Sequence, residues 1–107
     1  MKLPSLIETF VQAQNDQNTK QYADCFSETA TVRDEGQTYI GKNEIKLWNE
    51  KTNYEYKTIL HPLAYESTVK GGILIANVNG NFRGSPFPIG FHFEIEDGLI
   101  QSLSLEG

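Results

Sequence analysis

The sequence predicts an α+β fold: a bent antiparallel sheet with about three helices packed on its concave face. Three observations predict it. Helix-period patterning is confined to the first half of the chain, and period-two patterning fills the second half. Asp97-Gly98 is a two-residue hairpin signal between two strand-like runs, which joins them antiparallel. Helices first and a meander of strands after is the order of a layered α+β domain.

Each element follows from local chemistry. Leu6, Ile7, Phe10, Val11 and Ala13 recur at helical spacing, and Ser5 with Glu8 fits a capping box. The polar stretch Asn15 to Asn18 ends that helix. A second, shorter helix is expected from about Thr19 to Ser27, capped by Asn18 or Thr19, with Tyr22, Ala23 and Phe26 inward. Ala30 to Asp34 alternates as a strand, Asp34-Glu35-Gly36-Gln37 is a turn with Gly36 at positive φ, and Thr38-Tyr39-Ile40 returns. Gly41 and Asn43 open a third helix, from about Lys42 to Thr52, with Ile45 and Trp48 on its buried side. Then come strands over Tyr54 to Leu60, Leu63 to Val69, Ile73 to Phe82, Phe87 to Glu96 and Leu99 to Leu105. The first two are parted by His61-Pro62, because proline has no N–H to give a ladder.

Composition narrows the function. A chain of 107 residues is one domain, residues 1–107. Nine Lys and Arg against fourteen Asp and Glu give a net charge of −5, which argues against a nucleic-acid partner. No apolar run is long enough to span a bilayer, and Glu8 interrupts the only early run that could start a signal peptide. A soluble, cytoplasmic protein is the expectation. Cys25 is the single cysteine, so no internal disulfide is expected. With His61 and His92 it is too little for a closed zinc site, and no metal or cofactor is expected.

The period-two facing puts Ala30, Val32 and Asp34 on the inner side of one strand. A strongly bent sheet with helices across its mouth encloses a cone, which is a natural apolar pocket. Asp34 at the end of an inward row has two readings: a desolvated carboxylate in that pocket, or a turn residue bonding nearby amides. Phe10, Tyr22, Phe26, Tyr39, Trp48 and Tyr56 likewise either line a small apolar ligand's site or make up the plain core. His61 before Pro62 reads either as a strand-end acid or base near the pocket or as a surface bend residue, His92 faces away from the helices, and Cys25 reads as a small buried hydrophobe.

The stretch Ala23-Asp24-Cys25-Phe26-Ser27-Glu28-Thr29-Ala30-Thr31-Val32-Arg33-Asp34, then Gly36 and Ile40-Gly41-Lys42-Asn43-Glu44-Ile45, resembles the nuclear transport factor 2-like superfamily. It looks most like the SnoaL-like branch, which holds polyketide cyclases and is related to ketosteroid isomerases. The resemblance implies a cystatin-like roll over essentially the whole chain, with Asp34 where the isomerases keep their general base. Their hydrogen-bonding tyrosine would fall near Phe10, which has no donor. Their protonated acid would fall near Ile89 or Gly90, which have none either. Two functions therefore stay open: cofactor-independent isomerase or aldol-type cyclase chemistry on a small hydrophobic carbonyl compound with Asp34 as base, or a non-catalytic binding or dimerisation domain. Relatives of this fold commonly pair through the convex sheet, so a homodimer is expected.

Overall fold

A computed structural model describes residues 2–107, in which three helices lie against one six-stranded sheet. Helix α1, Ser5–Asn15, buries Ile7, Phe10, Val11 and Ala13 on one stripe. Its N-cap is Pro4, and no side chain caps it, so the expected capping box does not form; Ser5 is already the first helical residue. Helix α2, Thr19–Asp24, is capped by Asn18, whose side-chain oxygen accepts from the Gln21 N–H at 3.0 Å.

Strand β1 runs Phe26–Asp34, longer than expected, and takes Phe26 out of the second helix. It turns through Glu35 and Gly36, at φ 51° and 77°, into β2, Gln37–Ile40. Two successive positive φ angles match the right-handed twist of a hairpin, and Asp97 and Gly98 repeat the device at φ 51° and 76°. Helix α3, Lys42–Tyr56, is one turn longer than expected and ends at Lys57 in the left-handed conformation, so Tyr54 and Tyr56 stand on a helix and not a strand. Its buried stripe is Ile45, Asn49 and Asn53. Because two of these three are polar, apolar periodicity fades before the helix ends.

Strands β3 (Ile59–Ser67), β4 (Gly71–Asn79), β5 (Phe87–Glu96) and β6 (Leu99–Glu106) form the meander. Pro62 does not interrupt β3: it lies on an edge strand, beside a bulge between Pro62 and Ala64. The sheet order is β2-β1-β6-β5-β4-β3. Every neighbouring pair is antiparallel except β1 and β6, which run parallel, so the sheet is mixed and not wholly antiparallel. It curves without closing, leaving β2 and β3 as edges. Among the described residues, no helix is long and apolar enough to cross a membrane.

The core fills the concave side. Leu74, Ala76 and Val78 of β4, Phe91 and Phe93 of β5, and Ile100 and Leu103 of β6 are buried against α1 and α2. Phe10 is its hub, with ring centroids 5.0 Å from Tyr22, 5.2 Å from Phe93, 6.2 Å from Phe91 and 6.3 Å from Phe26. Edge-to-face pairs of this kind add to the area that each ring buries. Phe10→Ala is expected to lower the unfolding free energy by about 3–5 kcal/mol, read as a lower urea midpoint with an unchanged slope.

Candidate functional site

The curvature of the sheet leaves a cleft of about 660 Å³ between the helices and the far ends of the strands. Aromatic side chains make two of its walls. Tyr39 of β2 stacks on Trp48 of α3 with centroids 5.2 Å apart and planes 25° apart. Opposite, Phe82 meets the rings of Tyr56 and Phe87 edge-on, at 5.8 and 5.5 Å. Phe10, Leu60, Ile89 and Phe91 contribute apolar surface deeper in. Charged and polar side chains, among them Glu35, Gln37, Lys51, Glu55 and Arg83, share the lining, so the walls are mixed and not wholly apolar as the sequence suggests.

Of the residues singled out in the sequence, Asp34, Phe10, Tyr22, Tyr39, Trp48 and Tyr56 lie on this cleft. Phe26 does not. It is 1% exposed and packed in the core, with its ring 5.4 Å from that of Tyr22. Neither histidine lines the cleft. His61 is exposed on the edge strand, and His92 sits across the sheet with Nε2 3.2 Å from Glu106 Oε2. Cys25 is buried, its thiol directed at the Gln21 carbonyl, and burial pushes its pKa up to about 11. A protonated, enclosed thiol is a packing residue and not a nucleophile. Among the described residues, no three His, Cys, Asp or Glu side chains cluster as a metal site would require.

Asp34 is the last residue of β1, and the alternation of the strand turns it inward after the buried Ala30 and Val32. The turn that follows is made by the φ angles of Glu35 and Gly36, and no described amide donates to the Asp34 carboxylate. Loss of water around it raises its pKa above the ordinary carboxylate value, and the neighbouring charge of Glu35 pushes the same way. Tyr22 lines the same cleft and is 3% exposed. Its hydroxyl has no partner among the described residues, and its pKa is raised, chiefly by burial, then by Cys25 and Asp34. The cleft therefore holds a half-buried carboxylate and a neutral phenol whose O–H is free to donate.

Pattern reading missed several polar groups on the lining, Lys51, Glu55 and Arg83 among them, and two buried amides. Gln14 of α1 and Asn49 of α3 line the inner end of the cleft although both are buried. A signal for them was present: Asn49 and Asn53 follow Ile45 at steps of four residues, on the stripe where apolar residues are expected.

The raised pKa of Asp34 has a definite sign for stability. Between the unfolded value of about 3.9 and the higher folded value, the native state binds more protons than the unfolded chain. Stability from this group is thus lost as pH rises through that window, and the loss is complete above the folded pKa. Asp34→Asn should remove the loss: its stability relative to the wild type should be higher above the window than below it. A carboxyl-carbon NMR titration of Asp34 with a midpoint below the unfolded value would rule this out.

No family model matches the sequence, and no curated protein matches it. Solved structures do. A candidate polyketide cyclase from Sinorhizobium meliloti superposes with a TM-score of 0.93 at 27% identity, over 97% of this chain and 95% of that one. A protein with a ketosteroid isomerase-like fold from Catenulispora acidiphila, solved with trimethylamine, gives 0.89 at 18% identity, over 99% and 87%. A nuclear transport factor 2-like protein of unknown function from Cytophaga hutchinsonii gives 0.81 at 21% identity, over 98% and 92%. The last two likenesses are likenesses of fold. Three helices lie across a curved, unclosed sheet in this chain, and its fold is the cystatin-like, nuclear transport factor 2-like fold of these structures.

Proposed function

We propose that the cleft takes a small, mostly apolar carbonyl compound and that Asp34 acts on it as a general base. The observation that carries the reading is a partly desolvated carboxylate with no amide partner, in a cleft that also presents the aromatic rings of Phe10, Tyr39, Trp48 and Phe91. Asp34 removes a proton from the carbon beside the carbonyl, and the electron pair moves to oxygen as an enolate. The Tyr22 hydroxyl donates to that oxygen, the role for which Phe10 has no group. In an isomerisation, protonated Asp34 returns the proton at another carbon. In an aldol-type closure, the enolate carbon attacks a second carbonyl of the same molecule and the proton goes to the new alkoxide. Neither route calls on a cofactor. The likeness to a candidate polyketide cyclase supports the second.

The expected outcome is proton–deuterium exchange beside the carbonyl of small cyclic ketones incubated with the protein in D2O, followed by proton NMR. Exchange should rise with pH through the raised pKa of Asp34, since only the ionised form is a base. Asp34→Asn should abolish it, and Tyr22→Phe should slow it about 100-fold, the cost of one oxyanion donor. Ketones that bind but never exchange in the wild type would favour the other reading, a binding domain without turnover. Ile89 and Gly90, where a second acid would stand, are the residues that speak for it.

Pairing of two copies through the convex sheet belongs to the same proposal. Along β4 the outward residues Ile73, Ile75, Asn77 and Asn79 are half-buried, so the face mixes apolar and amide groups. The Asn79 side-chain oxygen is enclosed with no partner among the described residues. Two-fold pairing is the commonest closed assembly. Sedimentation should give a dimer that Ile75→Lys converts to monomer; a wild-type monomer at high concentration rejects the pairing. A cytoplasmic location is proposed on the sequence, whose single cysteine leaves no internal disulfide to be kept oxidised.

A further inference from the structure

Three carboxamides are buried beside the cleft: Gln14 of α1, and Asn49 and Asn53 of α3. They form a closed ring of hydrogen bonds. Gln14 Nε2 donates to Asn53 Oδ1 at 2.8 Å, Asn53 Nδ2 to Asn49 Oδ1 at 3.0 Å, and Asn49 Nδ2 to Gln14 Oε1 at 2.9 Å. The direction of the ring is fixed from outside. Gln14 Nε2 also donates to the Thr58 backbone carbonyl at 3.0 Å, an atom that can only accept. That sets the Gln14 amide one way round, and each next amide must follow.

Each amide nitrogen carries two hydrogens. Gln14 uses both, on Asn53 and Thr58. Asn53 uses both, on Asn49 and on Thr19 Oγ1 at 3.3 Å. Asn49 uses one, on Gln14, while its oxygen is taken up by Asn53 and by the Thr19 hydroxyl at 2.9 Å. One N–H is left over, and it belongs to Asn49. This residue is 2% exposed and lines the cleft, whereas Asn53 does not. A ring in which every amide both donates and accepts polarises its members, so the spare N–H is a stronger donor than an isolated amide. Left without an acceptor in so enclosed a place, it would be costly.

We propose that the spare N–H of Asn49 binds an oxygen atom of the molecule that occupies the cleft. It is a second donor to the carbonyl or enolate oxygen that Tyr22 receives, and in that respect the inference rests on the proton-transfer reading. At this end of the cleft the spare N–H offers a hydrogen to an acceptor oxygen, beside the Gln14 oxygen, which accepts one hydrogen bond in the ring.

The test uses 2-naphthol, a flat apolar body with one oxygen, and naphthalene, the same body without it. With the 15N-labelled wild-type protein, 2-naphthol should move one of the two Asn49 side-chain protons downfield and leave the one bonded to Gln14 nearly in place. Naphthalene should shift the ring resonances of Tyr39 and Trp48 but not that proton, and should bind roughly tenfold more weakly, the worth of about one hydrogen bond. Asn49→Leu has nearly the same size, removes both N–H groups and adds no acceptor for the naphthol O–H, so in the folded variant the preference for 2-naphthol should fall several-fold. Should that variant not fold, the wild-type titration decides alone. Shifts at Tyr22 and the cleft aromatics with the Asn49 protons unmoved would overturn the assignment of Asn49 and leave the cleft reading standing. No shift anywhere in the cleft with 2-naphthol at millimolar concentration would overturn both.

Discussion

The Thr58 carbonyl is the point on which the interior is hung. It follows directly on the left-handed residue that ends α3, where the carbonyls of the last turn have lost their helical partners. Gln14 donates to it at 3.0 Å and Gln17 at 2.9 Å, so the end of α1 is tied to the segment that follows α3. One residue along, Asn15 holds the Leu60 backbone by both its oxygen and its nitrogen, at 2.7 and 3.0 Å. The angle at which α1 lies across the sheet is set by these contacts. That angle delivers Phe10 to the rings of β5 and Gln14 to the amides of α3.

The cleft is a compromise between two demands on one volume. The curved sheet must bury apolar side chains to be stable, yet a site that moves protons needs polar groups kept away from water. The chain meets both by grading its interior. Around Phe10 the packing is wholly apolar. Toward Thr19 and Asn53 it is amide against amide, with nearly every donor matched. Asp34 and Tyr22 lie between, where burial raises the pKa of each and keeps the phenol neutral. Buried polar groups of this kind are tolerable only when their partners are supplied.

Where residues interact with near neighbours in the chain, the sequence was a good guide. The Asp97-Gly98 and Gly36 turns, the Asn18 cap and the inward row Ala30, Val32, Asp34 all depend on local φ preference or simple alternation. Errors arose where a distant partner decided. Phe26 has a helix-compatible spacing after Tyr22 and Ala23, yet it pairs with Ile100 of β6 and so belongs to a strand. Tyr54 and Tyr56 have strand propensity, yet they extend a helix whose buried side is sealed by asparagines. The amide ring was invisible for the same reason: it joins Gln14 to residues 35 and 39 positions further on. Asp34 was legible because a charged residue closing an apolar row is itself the anomaly.

The parallel partnership of β1 with β6 bears on how the molecule comes into being. β6 is the last strand in the chain but lies inside the sheet, between β1 and β5. Its partners along β1, such as Thr31 with Ser102 and Val32 with Leu103, lie some seventy residues apart in the chain. Such distant contacts are slow to find, because the loop between them must be closed before any contact rewards it. During synthesis the first five strands form two separate sets, β2-β1 and β5-β4-β3, with nothing to join them until residues 99–106 have left the ribosome. The carboxylate at the end of β1 therefore waits on the opposite end of the chain, and a protein shortened by that one strand would lose its site along with its sheet.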